Sequence, residues 1–145
     1  MATLDSTDLK IINILKKNAR TPVLKMSSIL GISDVAIKKR IKKMEDMGII
    51  RGYTIKIDYP KLGYKGLAIV GLDVESSDLL EVARKLVEKE NVKYVAISTG
   101  DHMIIATVIA KDNEELAAFI DELGKMKGVI KVCPAIVLEV LKDEI

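Results

Sequence analysis

The order of apolar patterns between residues 66 and 140 constrains the fold of this 145-residue chain more than any other feature. Four apolar runs of strand length alternate with two segments whose apolar residues recur at helical spacing. The order is β-α-β-β-α-β, the ferredoxin-like arrangement of four antiparallel strands with two helices on one face. Because the strands are apolar on both sides, we expect the face without helices to pack on a second subunit. The predicted strands are 67–74, 92–98, 103–110 and 129–140.

Capping patterns and a connector divide this region from the rest of the chain. Asp78 with Glu81, and Asp112 with Glu115, have capping-box spacing and predict the starts of the two helices. The run 58–63 is rich in turn-forming residues, which places a domain boundary at its start. The sequence therefore predicts an α+β chain with domains 1–57 and 58–145.

The first domain is predicted to hold three short helices followed by an extended segment. The tight spacing from Gly31 to Ser33 fits the turn of a helix-turn-helix. Pro22 suits the first position of the second helix, because its missing N–H costs little there. The predicted caps are Asp5 or Ser6, Thr21 and Ser33 at the helix starts, and Gly31 and Gly48 at the ends.

The third predicted helix is strongly basic, since five of the six residues from Lys38 to Lys43 are Lys or Arg. A helical wheel gives it a narrow apolar stripe, which we expect to pack on the first two helices. The stripe consists of Ile37, Ile41 and Met44. The opposite face carries Val35, Lys39, Lys42 and Asp46, flanked by Lys38 and Lys43.

Charge is segregated between the two domains. Residues 1–57 hold 12 Lys or Arg against 5 Asp or Glu, a net +7, whereas residues 58–145 carry a net −5. The first domain thus suits a polyanion, such as double-stranded DNA or an acidic protein. A membrane is disfavoured because the apolar stripe is narrow and needed by the core. With one cysteine and neither a signal peptide nor a membrane-length apolar run, we expect a cytoplasmic protein.

On DNA, lysines and arginines of the outer face would neutralise phosphates, while residues near the helix start would read bases. Val35 suits a thymine methyl group and Lys39 a guanine edge. A phosphate could also bind near Thr21, at the start of the second helix. Arg40 lies beside the apolar stripe, so a structural ion pair is an equal alternative for it. The predicted DNA-binding residues are Thr21, Ser33, Asp34, Val35, Lys38, Lys39, Arg40, Lys42 and Lys43.

Several segments resemble one known family over essentially the whole chain. The segments "LDSTDLKIINILKKNARTP", "GISDVAIKKRIKKMEDMGIIRGYTIKID" and "STGDHMIIATVIAKD" are similar to the Lrp/AsnC, or feast/famine, transcription regulators. The pieces "GDHMI" and "KVCPAIVLE" resemble the archaeal LrpA-like subgroup. The resemblance implies a sequence-specific DNA-binding regulator with a ferredoxin-like dimerisation domain. It also implies a homodimer that assembles further into tetramers or octamers.

The resemblance further implies a small-molecule effector near the turn between the second and third strands. The residues implied are Thr99, Gly100, Asp101, His102 and Met103. Amino-acid-responsive relatives typically carry Gly-Asp-Tyr-Asp here, whereas this chain has Gly-Asp-His-Met. Methionine cannot accept a strong hydrogen bond from an ammonium group, which argues against an amino-acid effector.

No phosphate-binding glycine loop, nucleophile–base pair or paired-carboxylate motif is present, so we expect neither an enzyme nor a cofactor. Asp101 and His102 are adjacent in a hairpin, where neighbours usually point to opposite faces. His102 and Cys133 lie far apart in sequence without metal-binding spacing, so we expect no metal site. The alternative function is a small-molecule-sensing oligomeric scaffold whose basic head binds an acidic protein.

Overall fold

Contacts within the chain separate it between Ile57 and Asp58 into two units, called here the N-terminal unit and the C-terminal unit. The computed structural model describes residues 3–144. The N-terminal unit consists of three helices: α1 (Ser6–Lys17), α2 (Val23–Leu30) and α3 (Asp34–Asp46). Their apolar sides meet in a small core of fully buried residues, Ile11, Met26, Ile37 and Met44.

A complete capping box starts α1. The carboxylate of Asp5 accepts hydrogen bonds from the backbone N–H groups of Thr7 (2.8 Å) and Asp8 (2.9 Å). The Asp8 carboxylate accepts in return from the N–H of Asp5 at 3.1 Å. These bonds satisfy donors that the helix itself leaves unpaired, which confirms Asp5 as the predicted cap.

The start of α2 differs from the prediction. Pro22 is the N-cap and makes no capping bond, and the helix begins at Val23. The hydroxyl of Thr21 instead donates to the carbonyl of Asn18 at 2.7 Å. Thr21 is therefore not the cap, because the turn that follows α1 directs its side chain back toward Asn18.

The turn between α2 and α3 forms as the sequence predicts. Gly31 ends α2 in the left-handed conformation (φ 68°), which glycine adopts without steric cost. The hydroxyl of Ser33 accepts a bond from the N–H of Ala36 at 3.2 Å and caps α3. Gly48, also left-handed, follows the end of α3. The predicted extended residues, 49–50 and 53–57, lie in neither a helix nor a strand.

The C-terminal unit has the predicted β-α-β-β-α-β order. Its strands form one antiparallel sheet in the order β2-β3-β1-β4. Its elements are β1 (Gly66–Val74), α4 (Leu79–Val87), β2 (Val92–Ile97), β3 (Ile104–Ala110), α5 (Asn113–Gly124) and β4 (Val129–Ile136).

One face of this sheet is covered by α4 and α5 and forms the core. Alternate residues of β1 and β3 point to that face and are fully buried, among them Val70, Leu72 and Ala106. The intervening residues lie on the other face, which no helix of this unit covers and which we call the open face. Ile69 on this face is 47% exposed and Tyr94 is 56% exposed.

The two predicted capping boxes of the C-terminal unit formed only in part. A short 3₁₀ turn over Ser76–Asp78 precedes α4. Asp78 is the N-cap residue, as predicted, but no side chain caps that helix, so the predicted capping box with Glu81 does not form. Asp112 does accept from the N–H of Glu115 at 2.8 Å. The Glu115 carboxylate, however, accepts from the N–H of Lys111 at 2.6 Å rather than from Asp112.

The last strand is shorter than predicted and ends at Ile136 instead of residue 140. Pro134 lies within it, opposite Val70, which is tolerated because β4 is an edge strand. Before β4, Gly128 has φ 89°, and a Cβ there would lie 2.5 Å from the Cβ of Asp78. This position therefore requires glycine for both its backbone conformation and its space.

Candidate nucleic-acid interface and effector turn

The two sides of α3 differ as the helical wheel predicts. Ile37 and Met44 are fully buried, and Ile41 packs against the same core. On the opposite side Val35 is 74% exposed, and the neighbouring lysines are exposed as well. An apolar stripe thus anchors the helix and leaves its basic side accessible.

These exposed side chains border one open groove along the outer side of α3. Within the described part of the chain, one ion pair lies on this side and joins Lys42 to Asp46, one helical turn away, at 3.1 Å. Both members of that pair are largely exposed, so it contributes little stability and leaves the lysine available. The groove is lined by Val35, Lys38, Lys39, Lys42, Lys43, Asp46 and Met47.

Arg40 is engaged inside the N-terminal unit. Its Nη1 lies 2.6 Å from an oxygen of Asp5 and 2.7 Å from an oxygen of Asp8. Asp8 is only 1% exposed, so its charge is held by this guanidinium and the α1 capping box. The backbone N–H of Asp8 and then the guanidinium lower the pKa of Asp5, and the two carboxylates raise the pKa of Arg40. This arrangement favours the structural alternative for Arg40.

The remaining predicted DNA-binding residues lie at helix starts. Ser33 and Asp34 begin α3 next to Val35, at the end of the groove. Thr21 precedes α2, and its hydroxyl is already bonded to Asn18. Ser33 and Asp34 therefore precede the basic groove along the chain without lining it, and Thr21 lies at a different helix start.

A contact that the sequence analysis missed lies just beyond α3. The hydroxyl of Tyr53 donates to the carboxylate of Glu45 at 2.7 Å. Desolvation, reinforced by this carboxylate, raises the pKa of Tyr53 to about 12. The bond ties the segment after α3 back to the helix. Its one signal in the sequence is that the two residues are only eight positions apart.

The predicted effector turn joins β2 to β3. The Ser98 N–H donates to the Met103 carbonyl at 2.9 Å and closes the turn. Thr99, Gly100 and Asp101 are exposed, whereas Met103 packs against the core, as expected for an apolar residue. Gly100 has no positive φ and has open space around it, so this turn does not require glycine at that position.

His102 points away from its neighbour Asp101 and toward Asp73 of β1. Its Nδ1 lies 2.9 Å from an Asp73 carboxylate oxygen. Cys133 of β4 lies beside this pair, and one ligand atom from each of the three residues falls within 4.8 Å of the others. His102 and Cys133, which are far apart in sequence, are thus brought together by the register of the sheet.

The architecture defines a class of protein. A helix-turn-helix with a free basic face is followed by a ferredoxin-like unit with one open apolar face, the arrangement of a DNA-binding regulator with a separate assembly or sensing part. Within residues 3–144, no helix has the length and apolar character needed to cross a membrane.

Comparisons with known proteins place the chain within this class. Residues 4–51 match a family model described as "Winged helix-turn-helix DNA-binding", and residues 67–145 match the "Lrp/AsnC ligand binding domain". The chain is 52% identical to the "HTH-type transcriptional regulator LrpA" of Pyrococcus abyssi, over 96% of this chain and 99% of that one.

Solved structures of the family are also similar to this chain. The structure of Escherichia coli AsnC has a TM-score of 0.89 and 26% identity, covering 98% of this chain and 97% of that one. A transcriptional regulator from Neisseria meningitidis in complex with L-Met has a TM-score of 0.91 and 25% identity, covering 97% and 94%.

The chain belongs to the Lrp/AsnC family of transcriptional regulators. The resemblance to the LrpA-like subgroup is confirmed by the Pyrococcus relative, and the ferredoxin-like fold by the E. coli structure. The names of these relatives also agree with the expectation that the chain is not an enzyme.

Proposed function

We propose that this protein regulates transcription by reading a specific DNA sequence with the outer face of α3. The observation that carries the proposal is the groove on that face, which four exposed lysines and one exposed valine line together. Four lysines in two helical turns are a strong attraction for phosphates, and an apolar side chain among them has no role in the core.

The groove suggests a division of labour among its residues. Val35 stands near the start of the helix, where recognition helices usually meet base edges, and would contact a thymine methyl group. Lys39, one turn further on, would reach a guanine edge or a phosphate. Lys38, Lys42 and Lys43 would bind phosphates, with Ser33 and Asp34 at the end that faces the bases.

Thr21 and Arg40 take supporting roles in this proposal. The first turn of α2 has no side-chain cap, so its N–H groups beyond Thr21 are available to a backbone phosphate. Arg40 would act indirectly, by fixing α3 against the start of α1 through its two carboxylate partners. Its removal would then reduce DNA binding by loosening the helix rather than by deleting a phosphate contact.

We further propose that the protein works as a homodimer or a higher oligomer built through the C-terminal unit. The open face supports this proposal, because it exposes apolar side chains such as Ile69 and Tyr94 to solvent. Packing against a second subunit would bury them. A two-fold pair of heads would contact half-sites about one helical turn, or a multiple of it, apart. Because this function requires access to DNA, we propose that the protein acts in the cytoplasm.

A small-molecule effector at the β2–β3 turn would act by shifting this assembly. The relative from N. meningitidis was solved with L-Met, which supports a small-molecule role for this domain. In this chain, the residues proposed to meet an effector are Thr99, Gly100 and Asp101, with His102 and Met103 behind them. Because Met103 packs into the core, it offers no charge to an amino acid's ammonium group.

The direct test is fluorescence anisotropy with DNA from upstream of the protein's own gene and with a scrambled fragment, each across a salt series. We expect tighter binding to the upstream DNA, with an affinity that falls linearly with salt on logarithmic axes. Equal, weak binding to both fragments would refute sequence-specific reading. Binding to neither would favour an acidic protein as the partner of the basic face.

A further inference from the structure

Three potential metal ligands of different chemistry converge on the open face of the sheet. Asp73 lies on β1, Cys133 on β4 and His102 in the β2–β3 turn. One carboxylate oxygen, one imidazole nitrogen and the Cys133 sulfur lie within 4.8 Å of one another. Ligands around a tetrahedral Zn²⁺ ion are about 3.3–3.6 Å apart. The Asp73–His102 pair, now 2.9 Å apart, would therefore open slightly to admit the ion, and any wider separation within the cluster would close.

The sheet is built to admit the imidazole at this point. Gly71, the residue paired with Cys133 across the strands, lies directly beneath the ring of His102. A Cβ at position 71 would lie 2.5 Å from the ring's Cγ and 2.9 Å from its Nε2, so any other residue there would force the ring to move. The missing Cβ therefore lets the ring lie against the sheet, next to Cys133 and within bonding distance of Asp73.

We propose that Asp73, His102 and Cys133 of one chain bind a divalent transition-metal ion of the Zn²⁺ type. The three side chains would supply an oxygen, a nitrogen and a sulfur ligand, and the fourth position of a tetrahedron would hold water or an external ligand. Cys133 binds as the thiolate, and its proton passes to solvent. This site stands on the three side chains alone and does not depend on DNA binding.

The donor set decides which ions fit. A thiolate and an imidazole select Zn²⁺, Co²⁺, Ni²⁺ or Cu²⁺, whereas Mg²⁺ and Ca²⁺ require oxygen ligands. The ligands come from three separate elements of the C-terminal unit, so a bound ion would tie the β2–β3 turn to β1 and β4. An ion at this position thus stabilises the same turn that is proposed to meet an effector.

The first measurement is Co²⁺ binding to the full-length protein, kept reduced with a phosphine that does not compete for metal. We expect one Co²⁺ per chain, with the absorption bands of tetrahedral coordination and a thiolate-to-cobalt charge-transfer band. Zn²⁺ should displace the Co²⁺ and abolish these bands, while Mg²⁺ should not. Half an ion per chain, no charge-transfer band or displacement by Mg²⁺ would each overturn the proposed site.

Single substitutions then assign the ligands. Zn²⁺ binding should weaken by at least about 100-fold in each of Asp73→Ala, His102→Ala and Cys133→Ala. Loss of a residue that only supports a ligand costs up to about 100-fold, and loss of a ligand itself should cost at least as much. Asp101→Ala is the matched control, because it removes an exposed carboxylate from the same turn but outside the cluster. It should leave Zn²⁺ affinity unchanged.

Circular dichroism of each variant without metal separates a lost ligand from a lost fold. Cys133→Ala removes a single sulfur atom, so it is the variant that best keeps the fold. Unchanged Zn²⁺ affinity in folded Cys133→Ala would overturn the proposal, as would an equal loss in Asp101→Ala.

Discussion

Replacing Lys39 and Lys42 by alanine should weaken DNA binding strongly while leaving the fold intact. Both side chains border the α3 groove on the side away from the core. Lys42 has only an exposed pair with Asp46, which is worth at most about 0.5 kcal/mol. Alanine is also a good helix former, so the double variant should unfold at nearly the same temperature as the parent.

The size of the effect follows from counterion release. Each phosphate contact contributes about 0.9 to the slope of log affinity against log salt. Two lost contacts lower that slope by about 1.8. If the variant and the parent bind equally at 1 M salt, the variant should bind about 60-fold more weakly at 0.1 M. A dimer that uses both heads would lose four contacts, with a slope lower by about 3.6 and an affinity about 4,000-fold weaker.

Fluorescence anisotropy across a salt series measures both quantities at once. The matched control is Lys125→Ala with Lys127→Ala, which removes the same charge from exposed positions of the C-terminal unit. That control should bind DNA with nearly the parent slope. If the two double variants lose equal slope, overall charge rather than the α3 groove attracts the DNA, and the reasoning fails.

Three further predictions test other contacts. The pKa of Asp5 is lowered below its ordinary 3.8 by a backbone N–H and by a guanidinium, so its stabilising contribution is present above about pH 4 and is lost as pH falls through the lowered value. Asp5→Asn keeps a helix cap but should make the melting temperature less sensitive to acid below that pH. An equal acid sensitivity would refute the assignment. Glu45→Gln should lower the pKa of Tyr53 from about 12 toward 10.0. The pKa should not fall all the way to 10.0, because desolvation is the larger cause of its rise. Absorbance titration of the phenol measures this pKa, and an unchanged value would contradict the prediction. Gly128→Ala should destabilise the protein by about 1–3 kcal/mol more than Gly63→Ala in urea denaturation, because both glycines have positive φ but only the first has a close neighbour. Equal losses of stability in the two variants would show that the Asp78 side chain moves aside at no cost.

Most of the secondary structure could be predicted because its causes are local. The apolar stripe of α3 and the caps Asp5 and Ser33 depend on residues a few positions apart, and the structure confirms them. The Thr21 cap failed because its hydroxyl had a competing carbonyl, which a capping pattern does not reveal. The end of β4 was missed because strand length depends on the partner, and β1 begins only at Gly66.

The candidate sites divide in the same way. The basic residues of α3 could be found from charge and helical period, both of which are properties of one segment. The partners of Arg40 and His102 could not, because they lie 32 and 29 residues away along the chain. Sequence reasoning weighed only the adjacent Asp101 as a partner for His102 and argued against it, whereas the structure pairs His102 with Asp73.

The sequence by itself determined the order of elements, the segregation of charge and the face of α3 that stays in solvent, because periodicity and composition act within single helices and strands. Only the tertiary structure decided that Arg40 holds the buried Asp8, and that Asp73, His102 and Cys133 meet above Gly71. Those contacts depend on helix packing and on the register between strands. Register joins residues distant in sequence, and no local pattern specifies it.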